Sequence, residues 1–324
     1  MAEVDTYTES KALYDRLLKS MGKAIIGQRE VIEQILVAIL TGNHALLEGY
    51  PGLGKTMMIR ALAQTLDLDF SRIQCTPDLM PSDITGTYVI EEESHSGKKT
   101  FRFQEGPIFS NIVLADEINR ATPKVQSALL ECMDEKQITV DGVTHKMPRP
   151  FHVLATQNPI EYEGTFPLPE TELDRFALRI SLGYPTEADE VAIMERQQYQ
   201  HPIETIEPVV SGEQVQNLQK VVRNVYVDEL VRQYIASIVN ATRNHPSIYL
   251  GASPRGSLAL FRTAQARALV HGRDYVLPDD IKALAEPVLA HRLIIRMIDT
   301  SHDKSGRTVI KELLDTIPVP GAVT

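Results

Sequence analysis

Cysteine is scarce in this chain: only Cys75 and Cys132 occur in 324 residues, far apart and in no CxxC pair. A disulfide framework is excluded, and a reducing compartment, the cytoplasm, is the expected location. A basic excess is missing too, because 33 Lys and Arg stand against 43 Asp and Glu, a formal charge of −10. That balance offers no footprint for sequence-independent attachment to a phosphate backbone, which argues against nucleic acid as the principal partner. Nowhere do about 18 uncharged apolar residues run together, so no transmembrane segment is expected. The N-terminus, Met1-Ala2-Glu3-Val4-Asp5, opens with acids rather than the apolar core of a secretory signal. The nine histidines, among them His145, His152, His201 and His245, form no HxxxH or Cys/His cluster at metal spacing. They read as surface or satisfied core residues. A nucleophile elbow is absent as well, since Gly251-Ala252-Ser253-Pro254 meets its next glycine at Gly256, one position late. No repeat at solenoid spacing and no low-complexity segment is found.

What is present divides into two halves, as the length suggests. Helical spacing marks Ser10 to Ile25 and Gln28 to Leu40, the second through Val31, Ile32, Ile35, Leu36, Ile39 and Leu40, with Gly42 as its C-terminal cap. Short apolar runs then read as buried strands: Ala45 to Leu47, Phe70 to Ile73, Ile112 to Ala115, Val153 to Ala155 and Leu178 to Leu182. Helical segments lie between most of them. Such alternation predicts an α/β fold with a mostly parallel sheet covered on both faces, and ligands at the carboxyl ends of its strands. Beyond Gly183-Tyr184-Pro185 the character changes. Thr186 to Tyr199, Gly212 to Val222, Asp228 to Asn244, Pro254 to His271 and Asp279 to Ala290 all read as helices, with no strand series among them. The boundary is expected near Tyr184, giving residues 1–184 and 185–324 as the two units.

Gly49-Tyr50-Pro51-Gly52-Leu53-Gly54-Lys55-Thr56 fits G-x-x-x-x-G-K-[ST], between a strand and the helical run Met57 to Leu66. The glycines let backbone N–H groups turn toward phosphates, and the helix N-terminus adds its positive end. Lys55 reaches the terminal phosphates, and the Thr56 hydroxyl can ligate Mg²⁺. Gly49, Pro51, Gly52, Leu53, Gly54, Lys55, Thr56 and Met57 are the expected nucleotide contacts. A merely structural glycine turn would not require Lys55 and Thr56. A dinucleotide fingerprint would need glycine at Met57, so ATP is favoured over NAD.

The strand run Ile112-Val113-Leu114-Ala115 stops abruptly at Asp116-Glu117. This matches a Walker B strand, in which Asp116 holds Mg²⁺ and Glu117 polarises the attacking water as general base. The competing reading is an acidic turn capping the next helix.

At these residues the chain resembles the MoxR family of AAA+ ATPases. The likeness runs through Asp116-Glu117-Ile118-Asn119-Arg120-Ala121, Gln126 to Glu131, Ile26-Gly27-Gln28, Ala155 to Pro159, Gly164 to Glu170 and Leu173-Asp174-Arg175-Phe176. It implies an AAA+ P-loop αβα sandwich followed by an all-helical lid, and hydrolysis of ATP with Mg²⁺. By the resemblance Asn158 is sensor 1, Arg175 the arginine finger acting on a neighbouring subunit, and Arg255 of Gly251-Ala252-Ser253-Pro254-Arg255 sensor 2. Gly27 and Gln28 are expected near the adenine. An ion pair of Arg175 with Glu172 or Asp174 is the bland alternative to the finger, and Arg120 is a rival arginine. Self-assembly into a hexameric ring and a chaperone-like action on von Willebrand factor A domain proteins are likewise implied.

Two hairpins are expected. One joins Thr87 to Ile90 with Thr100 to Phe103, and the resemblance makes it a helix-2 insert. The other joins Gln137 to Val140 with Val143 to Lys146 through Asp141-Gly142, a strong two-residue turn signal. They face either a pore or a partner, or they cover sheet edges. Rival readings of the whole chain are the motor subunit of a chelatase-like complex, a nucleic-acid translocase, and a nucleotide-gated scaffold that hardly turns ATP over.

Overall fold

The computed structural model describes residues 2–92, 99–160, 164–197, 202–296 and 305–320. Tyr199 and His201 lie outside these residues, as does the polar stretch 93–98 of the first hairpin. In chain order, α1 (Ala2–Met21) and α2 (Arg29–Leu40) lead into β1 (Ala45–Glu48), α3 (Lys55–Thr65), β2 (Phe70–Gln74) and α4 (Pro81–Thr85). The hairpin β3 (Gly86–Glu92) and β4 (Lys99–Glu105) precedes β5 (Ile112–Asp116) and α5 (Pro123–Glu135). A second hairpin, β6 (Gln137–Val140) and β7 (Val143–Lys146), precedes β8 (His152–Gln157), α6 (Glu170–Leu173) and β9 (Leu178–Ser181). Then follow α7 (Glu187–Gln197), α8 (Gly212–Val222), α9 (Glu229–Asn244), β10 (Ile248–Leu250), α10 (Pro254–Val270), α11 (Pro278–Leu289), β11 (Ile294–Ile295) and α12 (Gly306–Thr316).

The central sheet has five strands in the order β2-β5-β8-β1-β9, all parallel. Successive strand residues point to opposite faces, and both faces are covered. Ala45, Leu47, Ile112, Leu114, Leu154, Leu178 and Ile180 join one apolar cluster, while Leu46, Val113, Ala115, Val153 and Ala155 join the other. Burial on both sides is why these strands read as unbroken apolar runs. The first cluster continues into α8, α9, α10 and α11, so the helical half packs on the same face as α1, α2 and α3. No described helix is long and apolar enough to cross a membrane. The architecture is an AAA+ αβα sandwich with a helical lid.

The structure departs from the sequence expectations in four places. Helix α1 runs Ala2–Met21 rather than from Ser10 to Ile25. The helical half holds an antiparallel pair, β10 with β11, and a twelfth helix that the pattern left unassigned. Neither hairpin adds to an edge of the central sheet, since each forms its own two-stranded sheet. Instead the hairpins meet each other: Phe103 of β4 stacks on His145 of β7 with centroids 3.9 Å apart, and the Tyr88 hydroxyl lies 3.3 Å from His145 Nε2.

Two buried histidines at the rear of the sheet carry a pH dependence. His44 Nδ1 accepts the Val153 N–H at 2.8 Å, and its Nε2 lies 3.1 Å from the Met133 carbonyl. His152 Nδ1 lies 2.9 Å from the Asn43 carbonyl. Burial above all pushes their pKa values down, to about 3 for His44 and about 4 for His152. An unfolded histidine titrates near 6.5, so below that pH the unfolded chain takes up protons that the folded chain refuses. Stability is therefore full above about pH 6.5 and falls toward the folded values. Urea unfolding at pH 7.5 and 5.5 is expected to show a loss on the order of 1 kcal/mol per histidine; equal stability at both would overturn this assignment.

Candidate functional site

The phosphate loop opens between β1 and α3. Gly54 is the N-cap of α3 with φ 74° and ψ 20°, a left-handed conformation that suits glycine and turns the first N–H groups of the helix into the loop. Lys55 Nζ donates to the Gly49 carbonyl at 2.6 Å, across the mouth of the loop. Thr56 Oγ1 lies 3.5 Å from Asp116 Oδ2. Strand β8 separates β1 from β5 in the sheet, and it supplies the residues that organise the carboxylates. The Thr156 hydroxyl donates to Asp116 Oδ1 at 2.6 Å and accepts the Glu117 N–H at 2.8 Å. Glu117 is held at φ 58° and ψ 52°, a left-handed conformation uncommon for a residue with a side chain and a mark of a functional turn.

Residues of β2 complete this end of the sheet. Arg72 donates to Asp116 Oδ2 through Nε at 3.0 Å and Nη2 at 2.7 Å. Gln74 Nε2 donates to Glu117 Oε2 at 3.0 Å, and Arg120 Nη1 reaches the same oxygen at 3.1 Å. Arg72, Gln74 and Thr156 were not singled out from the sequence. An arginine inside a strand run, and a threonine two positions before Asn158 on the same strand face, were the available signals. Burial, then the charges of Asp116 and Glu117, push the neighbouring Cys75 thiol up to about 12.

Asn158 follows β8 and is 3% exposed. Its Oδ1 accepts the Ile160 N–H at 3.3 Å, whereas Nδ2 is buried with no hydrogen-bond partner. A buried amide donor without a partner is costly, and a phosphate oxygen or attacking water at the loop would satisfy it. Among the described residues no group of three or more His, Cys, Asp or Glu could hold a metal alone. The Thr56 and Asp116 oxygens instead fit Mg²⁺ completed by phosphate oxygens and water.

Beside the loop lies a cavity of about 140 Å³ whose lining includes Ile25, Ile26, Gln28, Leu53, Met57 and Ile193. Its apolar walls suit a purine base. Gln28 Nε2 donates to the Gly183 carbonyl at 3.2 Å, and its Oε1 is an acceptor by chemistry. Gly27 does not line this cavity. Its φ is 77°, and a Cβ there would stand 2.6 Å from the Asp189 carboxylate, so glycine permits α7 to close on the 24–28 loop. Pro51 is exposed at the loop tip and Gly52 is in a left-handed conformation. On the other side of the loop a cavity of about 300 Å³ is lined by Glu48, Tyr50 and Pro159 and by Glu286, Ser305 and Arg307 of the helical half, with Arg307 reaching Glu48 at 3.5 Å.

Arg120, the rival arginine, is paired with Glu117 at 3.1 Å, whereas Arg175 and Arg255 stand elsewhere. Arg175 pairs with Asp134 at 3.0 Å and donates to the Leu130 carbonyl at 3.0 Å, both on α5. The ion pair considered with Glu172 or Asp174 is therefore not the one formed, because the Asp174 carboxylate is taken by Arg292 at 2.7 Å. Arg255 is exposed in the first turn of α10 and lines neither cavity bordering the loop.

The family described as "ATPase family associated with various cellular activities (AAA)" matches residues 44–178, and "AAA lid domain" matches residues 240–313. Similar proteins include the uncharacterised YeaC of Bacillus subtilis, 47% identical over 95% of each chain. Chaperone MoxR1 of Mycobacterium tuberculosis is 40% identical over 94% of this chain and 82% of its own. Protein MoxR of Paracoccus denitrificans is 30% identical over 94% and 95%. A crystal structure of a presumed ATPase from Cytophaga hutchinsonii superposes with a TM-score of 0.90 at 41% identity, covering 97% of each chain.

Proposed function

Because the chain belongs to the MoxR family of AAA+ ATPases, we propose that it hydrolyses MgATP at interfaces between its own copies and uses the cycle to remodel or activate partner proteins. The observation that carries this reading is a half-built site. Lys55, Thr56, Asp116, Glu117 and the partnerless amide of Asn158 gather at the loop, while Arg175 is held on α5 and Arg255 is exposed on α10. A neighbouring copy would supply arginines for the phosphates, since the site's own Arg72 and Arg120 are paired with Asp116 and Glu117.

In this mechanism residues 1–184 bind the nucleotide and residues 185–324 form the lid. The 140 Å³ cavity seats the base, Lys55 leaves the Gly49 carbonyl for the terminal phosphates, and Thr56 and Asp116 would hold a Mg²⁺ ion that would supply charge neutralisation at the phosphates. Glu117 takes a proton from the attacking water, and Asn158 Nδ2 donates to that water or to the γ-phosphate. Arg175 and Arg255 of the neighbour compensate the charge that accumulates on the transferring group. A hexameric ring in the cytoplasm, with von Willebrand factor A domain proteins as clients, is the setting the family resemblance supports. The hairpins suit contact with such a client, since Ile90 and Phe101, cross-strand partners on β3 and β4, are 60% and 75% exposed.

The test is ATPase rate per chain against protein concentration, with light scattering in parallel. Specific activity is expected to rise as assembly proceeds. A rate per chain that stays flat while the assembly state changes would overturn the shared site.

A further inference from the structure

Arg175 lies between α6 and β9 in the sheet-bearing half, and Arg255 lies on α10 in the helical half, yet one carboxylate joins their supports. Asp174, the residue before Arg175, accepts Arg292 Nε on Oδ1 at 2.7 Å and the Ser253 hydroxyl on Oδ2 at 3.3 Å. Ser253 is the N-cap of α10, and its Oγ also accepts the Arg255 N–H at 3.2 Å. Arg292 has a side chain only 3% exposed. Its guanidinium donates to the carbonyls of Phe176 at 2.9 Å and of Asp174 and Ala177 at 3.3 Å, and also to that of Val288. The backbone on both sides of Arg175 is thereby stitched to the lid. Helix α10 closes over the same group: a Cβ at Gly256, next to Arg255, would lie 3.4 Å from Arg292 Cδ.

A buried ion pair is a poor device for stability alone, because desolvation offsets most of its attraction and apolar residues of equal volume serve as well. What it supplies is directed geometry from a rigid planar fork. We propose that Asp174, with Arg292 and Ser253, is a positioning unit that fixes Arg175 and Arg255 relative to each other, so that both reach a neighbour's nucleotide together. The proposal rests on the reading that these arginines act across an interface.

Mixing of full-length variants tests it. Asp174→Asn alone is expected to lower assembly-dependent kcat on the order of 10²-fold, with KM for ATP and binding of a fluorescent ATP analogue by the dilute chain unchanged. Mixed in equal amounts with Lys55→Ala, it is expected to regain activity at about a quarter of the interfaces, those pairing its intact phosphate loop with the intact arginines of the other variant. Arg175→Ala mixed with Lys55→Ala is the control. Recovery in the control but not with Asp174→Asn, or full activity of Asp174→Asn alone, overturns the proposal and leaves the shared site standing. No recovery in the control overturns the shared site and the proposal with it. Should Asp174→Asn fail to fold, Ser253→Ala takes its place, with kcat expected to fall at constant KM and to return in Ser253→Thr. Wild-type kcat in Ser253→Ala overturns the proposal.

Discussion

Glu117→Gln is expected to reduce ATP turnover by about 10²- to 10⁴-fold, the range for loss of a general base, while ATP binding survives. The backbone at Glu117 is fixed by its N–H bond to Thr156 at 2.8 Å. Gln74 and Arg120 both donate to Oε2, so Oε1 is the oxygen proposed to take the proton. Glutamine fills the same volume and keeps one carbonyl oxygen for these donors, but it cannot take a proton. Lys55, Thr56 and Asp116, the residues proposed to hold phosphates and cation, are untouched, so affinity is expected to change by less than about threefold, or ~0.7 kcal/mol. The left-handed backbone is equally strained with either side chain, and the unfolding midpoint is expected to stay put. Single-turnover hydrolysis with equilibrium binding of labelled ATP separates these quantities. Turnover within about tenfold of wild type would sink Glu117 as the base.

Much of this site was readable because its parts are contiguous. Gly49 to Thr56 carries its chemistry within one turn, and Asp116-Glu117 stand where an apolar run ends. Asp141-Gly142 likewise announced its hairpin: both residues take positive φ, 49° and 81°, as a type I′ turn requires. The unread parts are partnerships between distant segments. Asp174 and Arg292 sit far apart in sequence, and nothing local to Arg292 marks it as buried. Arg72 and Gln74 belong to β2, an edge strand whose burial is broken, so its polar residues looked like ordinary exposed positions. Strands β10 and β11, three and two residues long, are too short for periodicity. Helix α12 did carry a signal, with Ser305 as N-cap before Val309, Ile310 and Leu313 on one face.

The largest loss of stability is expected from Asp280→Ala. Asp280 is fully buried near the start of α11, where it accepts the Leu277 N–H at 2.9 Å, Arg267 at 2.5 Å, and both terminal nitrogens of Arg273 at 2.7 Å. Arg267 continues to Glu33 at 3.1 Å, and Glu33 accepts the Tyr14 hydroxyl at 2.9 Å. One carboxylate thus helps tie α10 and α11 to α1 and α2. Removing it leaves two largely buried guanidinium groups facing each other, at a cost of about 3–5 kcal/mol, a large share of the roughly 5–15 kcal/mol that holds a domain folded. The pH profile identifies the cause. Burial alone would raise the Asp280 pKa, but the hydrogen bonds from Arg273, Leu277 and Arg267, with the charge of Arg273, outweigh it and hold the carboxyl below its usual value. The contribution is therefore complete above the unfolded value of about 3.9 and is lost as pH falls below it. Buried His44 and His152 act in a higher window, below about 6.5, and they cancel in the difference between wild type and variant. Urea titrations at pH 7, 5 and 3 should give equal gaps at the first two and a smaller gap at the third. A gap at pH 7 under about 1 kcal/mol would mean that water reaches the two arginines once the carboxylate is gone, and that packing rather than this charge network joins the lid to α1 and α2.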